Sequence, residues 1–222
     1  MYTGKHARLR PLQPAFIMAA SGEAVTYREL EARCNRLAHL FRNRGLKRLD
    51  HYAIFMENNS RYLEACGAGE RSGLYFTCVN SYLTAAELAY ILTNSQSRIL
   101  VTSSAKLEIA REALKECPKV ELCIVADTAM LYSSGTTGRP KGVLRPLPEQ
   151  PPSQELPLFA FLVNIWQYRE GMIYLSPAPL YHAAPQAAVN LTIKMGGTAI
   201  IMESFDPERY LQLVEQWGIT HT

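Results

Sequence analysis

The 222-residue chain is long enough for one sizeable domain or two small ones, and 48% apolar with 19% charged residues is the composition of an ordinary globular protein, which excludes a disordered or low-complexity chain. A formal charge of +3, with scattered basic residues and one cluster at Arg42, Arg44, Lys47 and Arg48 that suits a solvated helix end, argues against nucleic acid as a partner. The five cysteines, at 34, 66, 78, 117 and 123, form no CxxC pair and no even-numbered framework, so neither a zinc site nor a disulfide scaffold is expected and a cytoplasmic location fits.

Lys5, Arg8 and Arg10 precede an apolar run at 15–20 that is too short for a secretory core, and no stretch approaches the length of an integral membrane segment. Residues 15–19 and 24–27 read as short strands joined through Gly22 in a hairpin. A helix follows, opened by the capping box Thr26/Glu29 and closed by Gly45, with Leu30, Cys34, Leu37 and Phe41 at helical spacing; His39 on it reads as a surface side chain. From there strands (52–56, 74–79, 99–102, 120–125) alternate with helices (60–71, 85–93, 105–116), Ser60, Thr84 and Ser104 standing at the helix starts. This alternation predicts an α/β fold: doubly wound, largely parallel sheets with flanking helices and right-handed crossovers.

The spacing then changes. Runs at 120–126 and 129–133 are separated only by Asp127 and Thr128, enough for a hairpin but too little for a parallel crossover. Residues 132–143 read YSSGTTGRPKGV. Ser133, Ser134, Thr136 and Thr137 supply hydroxyls, Gly135 and Gly138 let the backbone approach a ligand closely, and Lys141 adds a cation. Together these make an anion cradle suited to phosphate. A Walker loop is excluded, because Lys141 is preceded by Pro140 and followed by Gly142. Five prolines at 146–157 predict an exposed loop, 158–168 a core helix, and 172–175 a strand running into SPAPLYHAAP at 176–185. That strand end puts His182 at the carboxyl edge of a sheet, where open α/β folds bind ligands; a histidine hydrogen-bonded in a structural turn is the other reading. A strand at 198–202, a helix opened by Asp206 and Pro207 and closed by Gly218, and a strand start at 219–222 complete the chain.

The 132–143 run, with the Thr-Tyr-x-Glu-Leu opening at 26–30, AIFMEN at 53–58, PLYHAAP at 179–185 and Phe205-Asp206-Pro207, resembles the adenylate-forming (AMP-binding) superfamily, most closely its acyl-CoA synthetases and fatty-acid CoA ligases. The resemblance implies ATP-dependent activation of a small carboxylic, fatty-type acid to acyl-AMP and then, with coenzyme A, to acyl-CoA. It also implies that Ser133, Ser134, Gly135, Thr136, Thr137, Gly138 and Lys141 hold the β- and γ-phosphates, that a hydroxyl near Ser133 helps hold Mg²⁺, and that His182 lines the acyl pocket.

Three family features are missing from the sequence: a Tyr-Gly-x-Thr-Glu motif with the metal-binding glutamate, a Thr-Gly-Asp motif with the ribose-binding aspartate, and the C-terminal domain with the adenylation lysine. Residues 1–222 are therefore expected to be a partial AMP-binding N-terminal domain with an internal deletion near 127–128, and to be inactive alone. A non-catalytic nucleotide-binding or interaction module derived from such an enzyme, and an unrelated doubly wound protein with another phosphate ligand, are the alternatives. The sequence leaves the oligomeric state open.

Overall fold

The computed structural model describes residues 3–126, 149 and 157–222. A short helix α1 (Gly4–Leu9) leads into a hairpin of β1 (Pro14–Met18) and β2 (Ala24–Thr26). Then come α2 (Tyr27–Asn43), β3 (His51–Phe55), α3 (Tyr62–Ser72), β4 (Tyr75–Cys78), α4 (Ala85–Asn94), β5 (Ile99–Ser103), α5 (Leu107–Leu114) and β6 (Leu122–Ala126). After the undescribed stretch follow α6 (Pro157–Trp166), β7 (Ile173–Ser176), α7 (Ala183–Lys194), β8 (Thr198–Ile201) and α8 (Pro207–Trp217).

The strands form two four-stranded sheets, ordered β2-β1-β8-β7 and β4-β3-β5-β6. Every pairing is parallel except the β1/β2 hairpin. The two-residue alternation of strands distributes side chains to opposite faces. Tyr52, Ile54 and Met56 face a central core with Ile99 and Val101, while Ala53, Phe55 and Leu100 face α4 and α5. Phe16, Met18, Ala199 and Ile201 face the same central core from the other sheet, and Ile17, Leu175 and Ile200 face Leu213 of α8. The order of layers is thus α4/α5, sheet, central helices α2, α3 and α7, sheet, α8.

Local chemistry explains the element ends. Both capping boxes form: Thr26 and Thr84 each accept from the backbone N–H three residues on, and Glu29 and Glu87 reach back to the cap. Asp206 caps α8 through the Arg209 N–H at 2.7 Å, Pro207 stands at its first position, and Gly218 closes it at φ +56°. Residues 219–222 reach as far as a single parallel bridge from His221 to Tyr174.

Two expectations are corrected. Neither Ser60 nor Ser104 stands at a helix cap position: the α3 cap position falls on Arg61, without a side-chain bond, and Ser104 begins a 3-10 turn that delays α5 to Leu107. The helix expected at 158–168 is α6, and its described side chains are not those of a core helix: Phe161, Ile165 and Trp166 are 58%, 56% and 48% exposed, while Leu162 and Val163 pack on the central core. An apolar run reports helix length, but a helix on the rim has a described neighbour on one side alone. Among the described residues no helix is long and apolar enough to cross a membrane.

Candidate functional site

In the sheet ordered β4-β3-β5-β6, the chain leaves β3 toward β4 on one side and β5 toward β6 on the other. A crevice therefore opens between the carboxyl ends of β3 and β5, the place where open α/β sheets take ligands. Glu57 follows β3 at this edge and accepts hydrogen bonds from Ser103 Oγ at 2.6 Å and Asn59 Nδ2 at 3.3 Å. Buried Thr102 donates to the Phe55 carbonyl at 2.7 Å and holds the two strand ends in register.

The carboxyl edge of the other sheet meets this crevice. Asn58, 7% exposed, donates from Nδ2 to the carbonyls of Met202 (2.9 Å) and Ala178 (3.3 Å), and its Oδ1 accepts from the Leu180 N–H (2.7 Å). A small open cleft lies here, bordered by Glu57, Ser81, Tyr82, Tyr181 and Glu203. Glu203 receives the N–H groups of Ala20 (2.8 Å) and Ser21 (3.1 Å), which ties the β1–β2 turn to the end of β8. Lys106 Nζ stands 5.2 Å from the centre of the Tyr82 ring; burial holds its ammonium below the ordinary lysine range, against the pull of Glu57. Burial likewise pushes the Tyr181 hydroxyl up.

His182 occupies the N-cap position of α7 and is exposed, with its ring centre 4.5 Å from that of Tyr181. Its N–H donates to the Pro179 carbonyl (3.2 Å) and its carbonyl accepts from Gln186 (3.2 Å), so backbone bonds orient it and the imidazole makes no capping bond. Ser133, Ser134, Gly135, Thr136, Thr137, Gly138 and Lys141, the connection at 127–128 and most of the proline loop lie outside the described residues. His182 is thus the one expected site residue whose surroundings can be stated.

The described part of the cleft does not fit a polyphosphate. Its two carboxylates already receive donors, and among the described residues no group of three or more His, Cys, Asp or Glu could hold a metal ion. What it does offer is a border of mixed character, the rings of Tyr82 and Tyr181 and Pro179 beside the polar Glu57, Asn58, Ser81 and Glu203, with the exposed imidazole of His182 next in the chain to Tyr181. Sequence reasoning assigned no role to Asn58; two asparagines shortly after a largely buried strand were the available signal.

The AMP-binding enzyme family model matches residues 4–131 and 128–222. A feruloyl-CoA synthase from Amycolatopsis sp is 31% identical over 236 residues, covering 97% of this chain and 46% of the relative. Among solved structures, a Mycobacterium tuberculosis fatty acyl CoA synthetase superposes with a TM-score of 0.80 at 20% identity, covering 98% of this chain and 47% of that one. ATP-bound MatB from Rhodopseudomonas palustris superposes with a TM-score of 0.73 at 26% identity, covering 97% and 48%. The chain spans about half the length of the curated relatives it matches.

Proposed function

The chain belongs to the AMP-binding enzyme family, and we propose that it forms the first part of the N-terminal domain of an acyl-CoA ligase, which activates a small carboxylic acid with ATP and passes the acyl group to coenzyme A. The observation that carries this reading is the YSSGTTGRPKGV run standing inside the 128–222 family match. In this reading Ser133, Ser134, Gly135, Thr136, Thr137, Gly138 and Lys141 cradle the β- and γ-phosphates, and a hydroxyl near Ser133 helps hold Mg²⁺. Hydroxyls, glycine N–H groups and one ammonium stabilise the charge on departing pyrophosphate, which is the main demand of the adenylation step. His182 and Tyr181 border the acyl group at the sheet edge.

The family match breaks into two segments that overlap at 128–131, and the 236-residue alignment to the feruloyl-CoA synthase is longer than the 222-residue chain. The break in the match supports a segment missing near 127–128, and the alignment length supports residues missing from this chain without placing them. Residues 1–222 by themselves are expected to adenylate poorly, because the family's metal- and ribose-binding carboxylates and adenylation lysine are not among them. Losing one preorganised charge-stabilising group typically slows a reaction by about 10² to 10³.

Titration with ATP and pyrophosphate exchange, run on the 222-residue chain beside a full-length relative, test this. Lys141→Ala is expected to weaken ATP binding about tenfold, the worth of one charge-assisted hydrogen bond. Unchanged ATP affinity in that variant removes the 132–143 run from the site. Exchange within about tenfold of the full-length relative, a gap of roughly 1.4 kcal/mol, refutes the assignment of missing groups.

A further inference from the structure

The loop from Ser176 to His182 contains Pro177 and Pro179, which have no N–H to donate, so its own backbone can hold it only sparsely. Leu180 carries the first N–H after Pro179, and its side chain is fully buried. That N–H goes to Asn58 Oδ1 at 2.7 Å, while the Asn58 amide donates to Ala178 within the same loop and to Met202 at the end of β8. One primary amide therefore joins the carboxyl ends of β3, β7 and β8. Only a side chain with donor and acceptor on one short, planar group can make all three bonds.

We propose that Asn58 is a positioning residue: it clamps the 178–182 loop at the edge shared by the two sheets and so fixes where Tyr181 and His182 stand. The functional consequence rests on the acyl-site reading above; the clamp rests on the geometry alone. Leucine at this position keeps the volume and removes all three bonds. Aspartate keeps the acceptor for Leu180 but turns a carboxylate oxygen toward two carbonyls, and it regains a donor only when protonated. Glu57 and Glu203 border the same cleft with Tyr82 and Tyr181, and among the described residues the cation placed near it, Lys106, stands over the Tyr82 ring, so the introduced carboxyl meets two like charges and desolvation, and both raise its pKa.

The test is amide hydrogen exchange at Leu180, with the fully buried Ile54 of β3 as the internal reference, in the complete chain and its N58L and N58D variants at pH 7.5 and pH 5. Exchange at Leu180 relative to Ile54 is expected to quicken about tenfold or more in N58L at both pH values. In N58D it is expected to quicken at pH 7.5 and return toward wild type at pH 5, with the wild-type protein at each pH correcting for Glu57 and Glu203. Should N58L fail to fold, the N58D comparison decides alone. Wild-type exchange at Leu180 in N58L, or an N58D pattern that does not change with pH, overturns the clamp. A parallel titration with dodecanoyl-sulfamoyl-adenosine separates the two claims. N58L is expected to weaken this probe more than it weakens ATP, whereas a wild-type chain that does not bind the probe refutes the acyl-site reading and leaves the clamp to the exchange result.

Discussion

Gly69 lies inside α3, where alanine would ordinarily stabilise the helix by about 0.8–1.0 kcal/mol. Here the packing opposes that gain. A Cβ added to Gly69 would stand 2.2 Å from the Tyr52 hydroxyl oxygen, 2.7 Å from Cε1 and 2.9 Å from Cζ. Tyr52 is fully buried on β3 and cannot swing aside: its ring lies 4.7 Å from that of Phe41 and 5.8 Å from that of Phe76, and its hydroxyl donates to the Ala65 carbonyl at 2.6 Å. Overpacking of a well-filled core costs about 1–3 kcal/mol, and three contacts below 3 Å against a pinned ring place this site at the upper end. Gly69→Ala is therefore expected to destabilise the chain by about 1–2 kcal/mol net, or about 2–8 °C in Tm for a protein of this size. Urea unfolding followed by circular dichroism measures it. Tyr52→Phe removes the nearest atom, so the double variant should lose less than the sum of the two single losses. A midpoint for Gly69→Ala equal to or above wild type refutes the reasoning, because helix propensity would then have won.

Tyr27 is fully buried and its hydroxyl donates to the carbonyls of Ile193 (2.9 Å) and Gly197 (2.7 Å), so Tyr27→Phe should lower stability by about 1–3 kcal/mol in the same urea assay, and an unchanged midpoint would show these bonds to be redundant. Burial holds His6 below its ordinary value of 6.5, against the opposing effect of the bond between its Nε2 and the Lys194 carbonyl. The unfolded chain then binds that proton more readily, so the contribution is complete above about pH 6.5 and is lost as pH falls through the lower folded value; urea midpoints between pH 7.5 and pH 5 should fall less in His6→Gln than in wild type.

Most of the winding was legible because it rests on local chemistry. The capping boxes at Thr26 and Thr84 announce α2 and α4 as reciprocal side-chain pairs, and Asp206-Pro207 announces α8. Ser60 and Ser104 mislead because a serine near a helix start has alternatives: the chain after Asn59 turns through the Asn59 Oδ1 bond to Arg61 N–H, and Ser104 enters a 3-10 turn. Helix α1 escaped notice for the opposite reason. It has six residues and no side-chain cap bond, and it is held by distant partners, His6 on Lys194 and Thr3 on Glu31. Asn58 was illegible as a clamp since all its partners stand 120 or more residues away.

The covalent chain bears on the one relation the proposed function most needs, that between the 132–143 run and His182. β6 is parallel to β5, which is parallel to β3, so Ala126 ends at the same carboxyl edge as Asn58, two strand spacings from β3. Two spacings are about 10 Å. Ser133 stands seven residues beyond Ala126, a reach of at most about 25 Å even when fully extended. Asn58 in turn bonds to Leu180, two residues before His182. The run therefore begins within chain reach of the crevice and of the clamped loop, and it would do so from the edge on which parallel sheets present their ligands. The deletion proposed near 127–128 would shorten this tether. Restoring a family-length segment there should consequently raise affinity for acyl-adenylate analogues, which must span both loops, more than affinity for inorganic pyrophosphate, which needs only one; equal gains would show that the tether does not limit the approach.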